Sequence, residues 1–133
     1  APSEHSTSEL TERLGQILPR DAQCQIQMSL NGTAYTGAGT GQFSPIEFVG
    51  IADALHQGVI HELKFTSALD HPMFLQVGLY VVMARRSGRQ ISHGSLFNTR
   101  TGEHWLVRVP DDDAFLDAVV RCVTKQSYSF FRG

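Results

Sequence analysis

The chain has few of the residues that mark several specialised classes of protein. Its only cysteines, Cys24 and Cys122, lie far apart and form no C-x-x-C pair, which argues against a disulfide framework and a zinc knuckle. No apolar run approaches the roughly 20 residues that cross a bilayer, so we expect no membrane span. A reducing setting in the cytoplasm or nucleus, rather than secretion, is therefore the expectation.

Lysine is also scarce, and basic residues do not outnumber acidic ones. The net charge is -2, and the only lysines are Lys64 and Lys125. Because phosphate contacts dominate nucleic-acid affinity, we do not expect this domain alone to bind DNA strongly. Arg85, Arg86 and Arg89 nevertheless form a local basic cluster. A solvated helix end is the simpler interpretation of the cluster, and Arg85 is a further candidate for contact with a substrate.

The size and the start of the chain bear on its domain organisation. With 133 residues it fits a single domain over positions 1–133, long enough for one core. It begins at Ala1, with neither an initiator methionine nor a signal-peptide pattern. We therefore expect a chain that was processed or cut from a larger protein.

Hydrophobic periodicity predicts a fold that mixes helices and strands. Helices are expected over residues 7–18 and 72–86 and after residues 111–113, and strands over residues 23–30, 33–35, 48–55, 59–65, 91–97 and 104–109. Asn31-Gly32 predicts a tight turn, and the glycines of residues 37–41 predict a loop. This order indicates an α/β or α+β fold, with a central mixed sheet flanked by helices.

Three charged residues are expected to meet on two neighbouring strands. Residues two apart in a strand share a face, so Glu62 and Lys64 project together from an otherwise apolar run. Asp53 precedes them on the neighbouring strand, across a short turn, so that its carboxylate can reach the same place. Burying such charges is costly unless they are paired or bound to something.

This cluster has the groups that phosphodiester hydrolysis needs. Asp53 and Glu62 would hold a divalent cation, Mg²⁺ or Mn²⁺, because carboxylate and carbonyl oxygens suit those ions. The carbonyl of Leu63 is a further candidate ligand, since it lies between them in sequence. The ammonium of Lys64 would orient the attacking water and offset the negative charge that develops.

The order of these residues resembles that of a known nuclease family. Gly50-x-x-Asp53, then Glu62-x-Lys64, then Gln76-x-x-x-Tyr80 is similar to the motifs of the PD-(D/E)XK nuclease superfamily, in its RecB-like branch. The resemblance implies a restriction-endonuclease-like core and Mg²⁺- or Mn²⁺-dependent cleavage of DNA, as single strands or duplex ends. It also implies a role in DNA replication, repair or recombination, often with a helicase in the same chain or complex.

The resemblance further implies a role for each matching residue. Asp53 and Glu62 correspond to the metal ligands and Lys64 to the catalytic lysine. Gln76 and Tyr80 lie one turn apart on the next helix, where they would support the site and touch the substrate.

Two other helix starts supply candidates. Relatives often add a metal ligand from the first helix, for which Glu9 is the first choice here, with Glu12 and His5 behind it. His71, where the second long helix opens, is a candidate for substrate contact.

Other interpretations of the same residues remain open. A lone Glu-x-Lys is often a cross-strand pair on an exposed face. A module with a nuclease fold that binds DNA or a protein partner without cutting would fit the acidic charge balance, and an RNA endonuclease would use the same centre. A zinc site built from His56, His61 and His71 is not favoured, because their spacing matches no usual ligand pattern.

Overall fold

The computed structural model describes residues 7–18, 20–35, 43–124 and 127–129, which form three helices and one six-stranded mixed sheet. In chain order the elements are α1 (Thr7–Ile17), β1 (Gln23–Tyr35), β2 (Phe43–His56), β3 (Val59–Lys64), α2 (His71–Arg86), β4 (His93–Asn98), β5 (His104–Val107), α3 (Asp112–Thr124) and β6 (Ser127–Ser129). The strands lie in the order β5-β4-β3-β2-β1-β6, and only the β3–β4 pair is parallel. The predicted mixed sheet with helices is confirmed. No helix in the described ranges has the length and apolar character needed to cross a membrane.

A two-residue turn joins β2 to β3. Its central residues, Gln57 and Gly58, have positive φ angles of 48° and 76°, which is the pattern of a type I′ turn. His56 and Val59 pair on either side of it. The hairpin predicted here is confirmed, although β2 begins earlier than expected, at Phe43.

The tight turn predicted at Asn31-Gly32 is wrong. These residues continue β1, where Asn31 pairs with Glu47 and Gly32 pairs with Ile46. The long antiparallel ladder between β1 and β2 outweighs the local turn preference of the dipeptide, because each further pair adds main-chain hydrogen bonds. The glycine loop predicted at residues 37–41 lies outside the described residues.

Helix α2 connects the parallel strands β3 and β4 and packs on one face of the sheet. Such a crossover is required because parallel neighbours cannot be joined by a tight turn. Gly94 of β4 permits a close approach: a Cβ atom there would overlap Cγ1 of Val77 and lie 3.0 Å from Cγ2 of Val81. Both valines are fully buried. The absence of a side chain on Gly94 therefore determines how closely α2 packs on β4.

Polar contacts fix both ends of α2. At its start the backbone N–H of Met73 donates to Oδ1 of Asp70 at 3.1 Å, an N-cap. At its end the guanidinium of Arg85 donates to Oδ1 of Asp112 at 2.8 Å. Arg85 also donates to three backbone carbonyl oxygens, those of Ile91, Ser92 and Val109. Arg85 thereby ties α2 to the segments that lead into β4 and α3.

Helix α1 reaches the opposite face of the sheet. The guanidinium carbon of Arg13 lies 5.8 Å from the ring centroid of Phe97 in β4. Phe97 pairs with Leu63, whose side chain leaves β3 on the face opposite that of Glu62. The sheet therefore meets α2 on one face and Arg13 of α1 on the other.

We expect Gly94→Ala to lower the free energy of unfolding by about 1–3 kcal/mol, because the new methyl group overpacks the contact between β4 and α2. Gly15→Ala is the matched control, since a Cβ atom at Gly15 would meet nothing within 4 Å. In helix α1 this change should be neutral or stabilise the protein by up to about 1 kcal/mol. Urea unfolding of both variants checks the prediction, and equal stabilities would contradict it.

Candidate functional site

The main-chain ladder between β2 and β3 gives way to side-chain bonds at Asp53 and Glu62. The last backbone pair on this side is Ala54 with His61. Beyond it, Oε1 of Glu62 accepts from the backbone N–H of Asp53 at 3.0 Å. In return, Oδ2 of Asp53 accepts from the backbone N–H of Leu63 at 2.7 Å. The two carboxylates therefore bridge the strands where these separate, and the predicted meeting of Asp53 with Glu62 is confirmed.

Lys64 links this carboxylate pair to helix α2. Its Nζ lies 3.6 Å from Oε2 of Glu62, as expected for two residues on one strand face. The same Nζ donates to Oε1 of Gln76 at 2.8 Å. Nε2 of Gln76 in turn donates to the hydroxyl oxygen of Tyr80 at 3.1 Å. The five motif residues predicted from the sequence thus form one connected polar cluster.

Burial makes the charges of this cluster costly. Glu62 is only 4% exposed. Burial first, and then the neighbouring Asp53, raise the pKa of Glu62, although Lys64 and the backbone N–H of Asp53 act in the opposite direction. Burial, followed by the charge of Glu62, also raises the pKa of Tyr80. The centre therefore has an excess of negative charge that a bound cation would offset.

Gly50 positions Tyr80 beside this centre. A Cβ atom at Gly50 would overlap Cε1 of the Tyr80 ring and lie 3.2 Å from its hydroxyl oxygen. Only glycine lets β2 approach the aromatic ring this closely. The sequence marks Gly50 as part of a motif, and the structure shows the steric reason for a glycine at this position.

Asp53 lies at a distorted part of the sheet. On its other side, β1 passes from the Cys24–Ala54 pair to the Ile26–Ala52 pair. The intervening residue, Gln25, has a φ of 53°, a left-handed conformation that is uncommon for a side-chain-bearing residue in a strand. Such strain is often found at functional sites, where the surrounding structure holds it in place.

The carboxylate donors suit a hard cation. Asp53 and Glu62 supply carboxylate oxygens side by side, which is the donor chemistry that Mg²⁺ and Mn²⁺ prefer. In the part of the chain that the structure describes, no group of three or more His, Cys, Asp or Glu side chains is arranged to hold a metal ion. Glu9, exposed on α1, is thus not grouped with these two carboxylates, while His5 lies outside the described residues.

The remaining candidates lie apart from the cluster or contact it only through the backbone. His71 is the exposed first residue of α2. Arg85 lies at the other end of that helix, in the contacts that tie it to β4 and α3. The N–H of Leu63 donates to Asp53, while its proposed role as a carbonyl ligand stays a prediction.

Sequence reasoning missed the residues that hold the end of β3. The backbone N–H and the hydroxyl of Thr99 both donate to the carbonyl oxygen of Lys64, at 2.7 Å and 2.8 Å. The buried side chain of Asn98 bonds the backbone of Thr66 on both sides, through Oδ1 and Nδ2. The available signal in the sequence was the pair Asn98-Thr99 at the end of a predicted strand. Only the pairing of β3 with β4 shows that these two residues bind the end of β3.

The opposite face of β3 has a different chemistry. His61 is buried there, and its Nδ1 has no hydrogen-bond partner among the described atoms. Burial, with smaller contributions from His104 and two other histidines, lowers the pKa of His61 to about 4. This imidazole is therefore neutral near pH 7. Strand alternation directs His61 away from Glu62 and toward these neighbours.

Comparison of the chain with protein-family models, with curated proteins and with solved structures gave no match. A family assignment therefore depends on this chain's own residues and their geometry.

We expect Glu62→Gln to raise the thermal midpoint of the metal-free protein by a few degrees at neutral pH. The raised pKa means that ionised Glu62 disfavours the folded state, and this penalty grows as pH rises from the ordinary value of 4.5 to the folded pKa and is constant above it. Below pH 4.5 the wild-type group is protonated in both states, so the advantage of the variant should vanish.

Thermal melts across this pH range check the prediction. Glu47→Gln is the control, because Glu47 is exposed on β2 and its substitution should leave the midpoint unchanged at every pH. If Glu62→Gln melted below the wild type at neutral pH, the cluster would be held together by the charge on Glu62 rather than strained by it.

Proposed function

We propose that this chain is a divalent-metal-dependent DNA nuclease of the PD-(D/E)XK superfamily, in the RecB-like branch. The observation that carries the proposal is the single polar cluster in which Asp53 and Glu62 lie side by side and Lys64 is bonded to Gln76. Residues from β2, β3 and α2 are brought together in the order that the family motifs require. An ordinary ion pair between Glu62 and Lys64 on the face of one strand would need none of the contacts to α2.

The arrangement of the sheet supports a restriction-endonuclease-like core. The antiparallel β2–β3 hairpin carries the acidic residues, and β3 continues through α2 to the parallel strand β4. This topology brings the end of β3 close to the first half of α2, which packs on one face of the sheet. The cluster lies where these two elements meet.

The chemistry divides among the residues as follows. Asp53 and Glu62 would hold Mg²⁺ or Mn²⁺, which when bound lowers the pKa of water and neutralises charge on the phosphate. The ammonium of Lys64, fixed by Gln76, would donate to the attacking water or to a phosphate oxygen as negative charge develops there. Tyr80 supports the amide of Gln76 and so holds Lys64 in place.

The charge balance bears on the biological setting. With a net charge of -2, the domain would bind DNA weakly by itself and would depend on a neighbouring domain or subunit, such as a helicase, to deliver single strands or duplex ends. We also propose an intracellular location, because DNA is the substrate.

We expect the protein to cleave DNA in Mn²⁺ or Mg²⁺, and Asp53→Asn and Lys64→Ala each to lower the rate about 100-fold or more. Asp117→Asn is the control, since Asp117 forms an i,i+4 pair with Arg121 on α3, away from the cluster. Gel assays with single-stranded DNA, duplex DNA and RNA give the rates and the preferred substrate.

Calorimetry with Mn²⁺ completes that experiment. Cleavage that survives Lys64→Ala would sink the proposal. Metal binding that depends on Asp53 but is not accompanied by cleavage would favour the alternative, a nuclease-fold module that binds DNA or a protein partner without cutting.

We expect Gly50→Ala to lower the cleavage rate by about 10- to 100-fold, because the methyl group displaces the Tyr80 ring and with it the support of Gln76 and Lys64. Metal affinity should change little, since neither carboxylate touches Tyr80 directly in the described hydrogen bonds. Steady-state kinetics beside Gly15→Ala checks this. An unchanged rate would show that the position of Tyr80 does not matter for catalysis.

A further inference from the structure

An exposed aromatic ring follows the candidate catalytic lysine. Phe65 comes directly after Lys64 at the end of β3, and 77% of its surface is exposed. Among the large apolar side chains that the structure describes, it is the most exposed. Almost all of the apolar surface of this ring is therefore open to contact with another molecule.

The backbone on both sides of Phe65 is held firmly. Before it, the carbonyl oxygen of Lys64 accepts two hydrogen bonds from Thr99. After it, Oδ1 of Asn98 accepts from the N–H of Thr66 at 3.2 Å, and Nδ2 of Asn98 donates to the carbonyl oxygen of Thr66 at 2.9 Å. The ring is therefore presented from a fixed segment, so little conformational entropy would be lost when it binds something.

The same asparagine positions an arginine beside the ring. Oδ1 of Asn98 also accepts from the backbone N–H of Arg100 at 3.1 Å. The guanidinium carbon of Arg100 lies 5.9 Å from the ring centroid of Phe65. Asn98 is completely buried, so one internal amide sets the spacing of both exposed groups.

We propose that Phe65 and Arg100 form a binding site for an unpaired nucleotide of the substrate strand. The ring stacks on a base, and the guanidinium binds the adjacent phosphate or stacks on the next base. Aromatic rings beside cationic groups are the usual means of holding single strands without sequence preference. The inference rests on the proposed nuclease function and specifies the substrate as a strand with unpaired bases.

Geometry explains why the strand must be unpaired. Inside a duplex the bases are stacked on one another, so their faces are closed to a side chain at the protein surface. Phe65 follows Lys64 directly in sequence, at the end of β3. A second exposed aromatic, Trp105 of β5, packs edge-on against Phe74 of α2 and is the natural comparison.

The test is fluorescence anisotropy of the whole chain with labelled oligo-dT and with a blunt duplex, in EDTA and at low salt, so that no cleavage intervenes. We expect Phe65→Ala to weaken oligo-dT binding about 5- to 100-fold and to change duplex binding less than about 2-fold. Phe65→Trp should retain the affinity, whereas Phe65→Leu should not. Arg100→Gln should lower the dependence of log K on log salt concentration by roughly one.

Leu106→Ala is the matched control, because Leu106 is an exposed apolar side chain on β5 and should leave both affinities unchanged. Phe65 is so exposed that its replacement should not alter the thermal midpoint. No oligo-dT binding by the wild type, equal binding by Phe65→Ala, or a loss caused by Trp105→Ala in place of Phe65→Ala would each overturn the proposal. The last two outcomes would show that the DNA-binding surface lies elsewhere on the protein. Phe65 would then belong to a different surface, such as one that contacts another protein.

The outcomes separate this site from the proposed activity. Oligo-dT binding that depends on Phe65, in a protein that never cleaves DNA, would support the site and refute the nuclease. DNA cleavage by a protein whose oligo-dT affinity does not change in Phe65→Ala would support the nuclease and refute the site.

Discussion

The exchange of hydrogen bonds between Asp53 and Glu62 is the constraint on which the rest of the site depends. Each carboxylate accepts a backbone N–H that a regular antiparallel ladder would have used, from Asp53 itself and from Leu63. The strands can therefore separate at this point without leaving those backbone donors unpaired. That separation leaves both acidic groups together at the side of the sheet that α2 covers, where Lys64 and Gln76 can reach them.

The exchange of hydrogen bonds between Asp53 and Glu62 leaves uncompensated negative charge in the site. Two carboxylates share a partly buried place with one ammonium, and the raised pKa of Glu62 records the imbalance. A protein selected for stability alone would have continued the backbone ladder with apolar side chains. The strained φ of Gln25, beside the same part of β2, is consistent with a region shaped for binding rather than for stability.

Local patterns predicted the elements well, and long-range contacts explain what they missed. Strand alternation placed Glu62 with Lys64, and helical spacing placed Gln76 with Tyr80, because each pair lies within one element. Asn31-Gly32 misled, because its turn preference is local whereas its pairing with β2 depends on a distant segment. The contact of Gly50 with Tyr80 and the role of Asn98 likewise join positions about 30 residues apart, which no short pattern reveals.

The hydrogen bonds from Lys64 to Tyr80 run in one direction only. A lysine ammonium can only donate, so the oxygen of the Gln76 amide must face it and the amide nitrogen must face Tyr80. The tyrosine oxygen accepts from Gln76 and is also bonded to the backbone at Ile51. One positive charge in β3 thus sets the orientation of the Gln76 amide, and through it the hydrogen bond that Tyr80 accepts on α2.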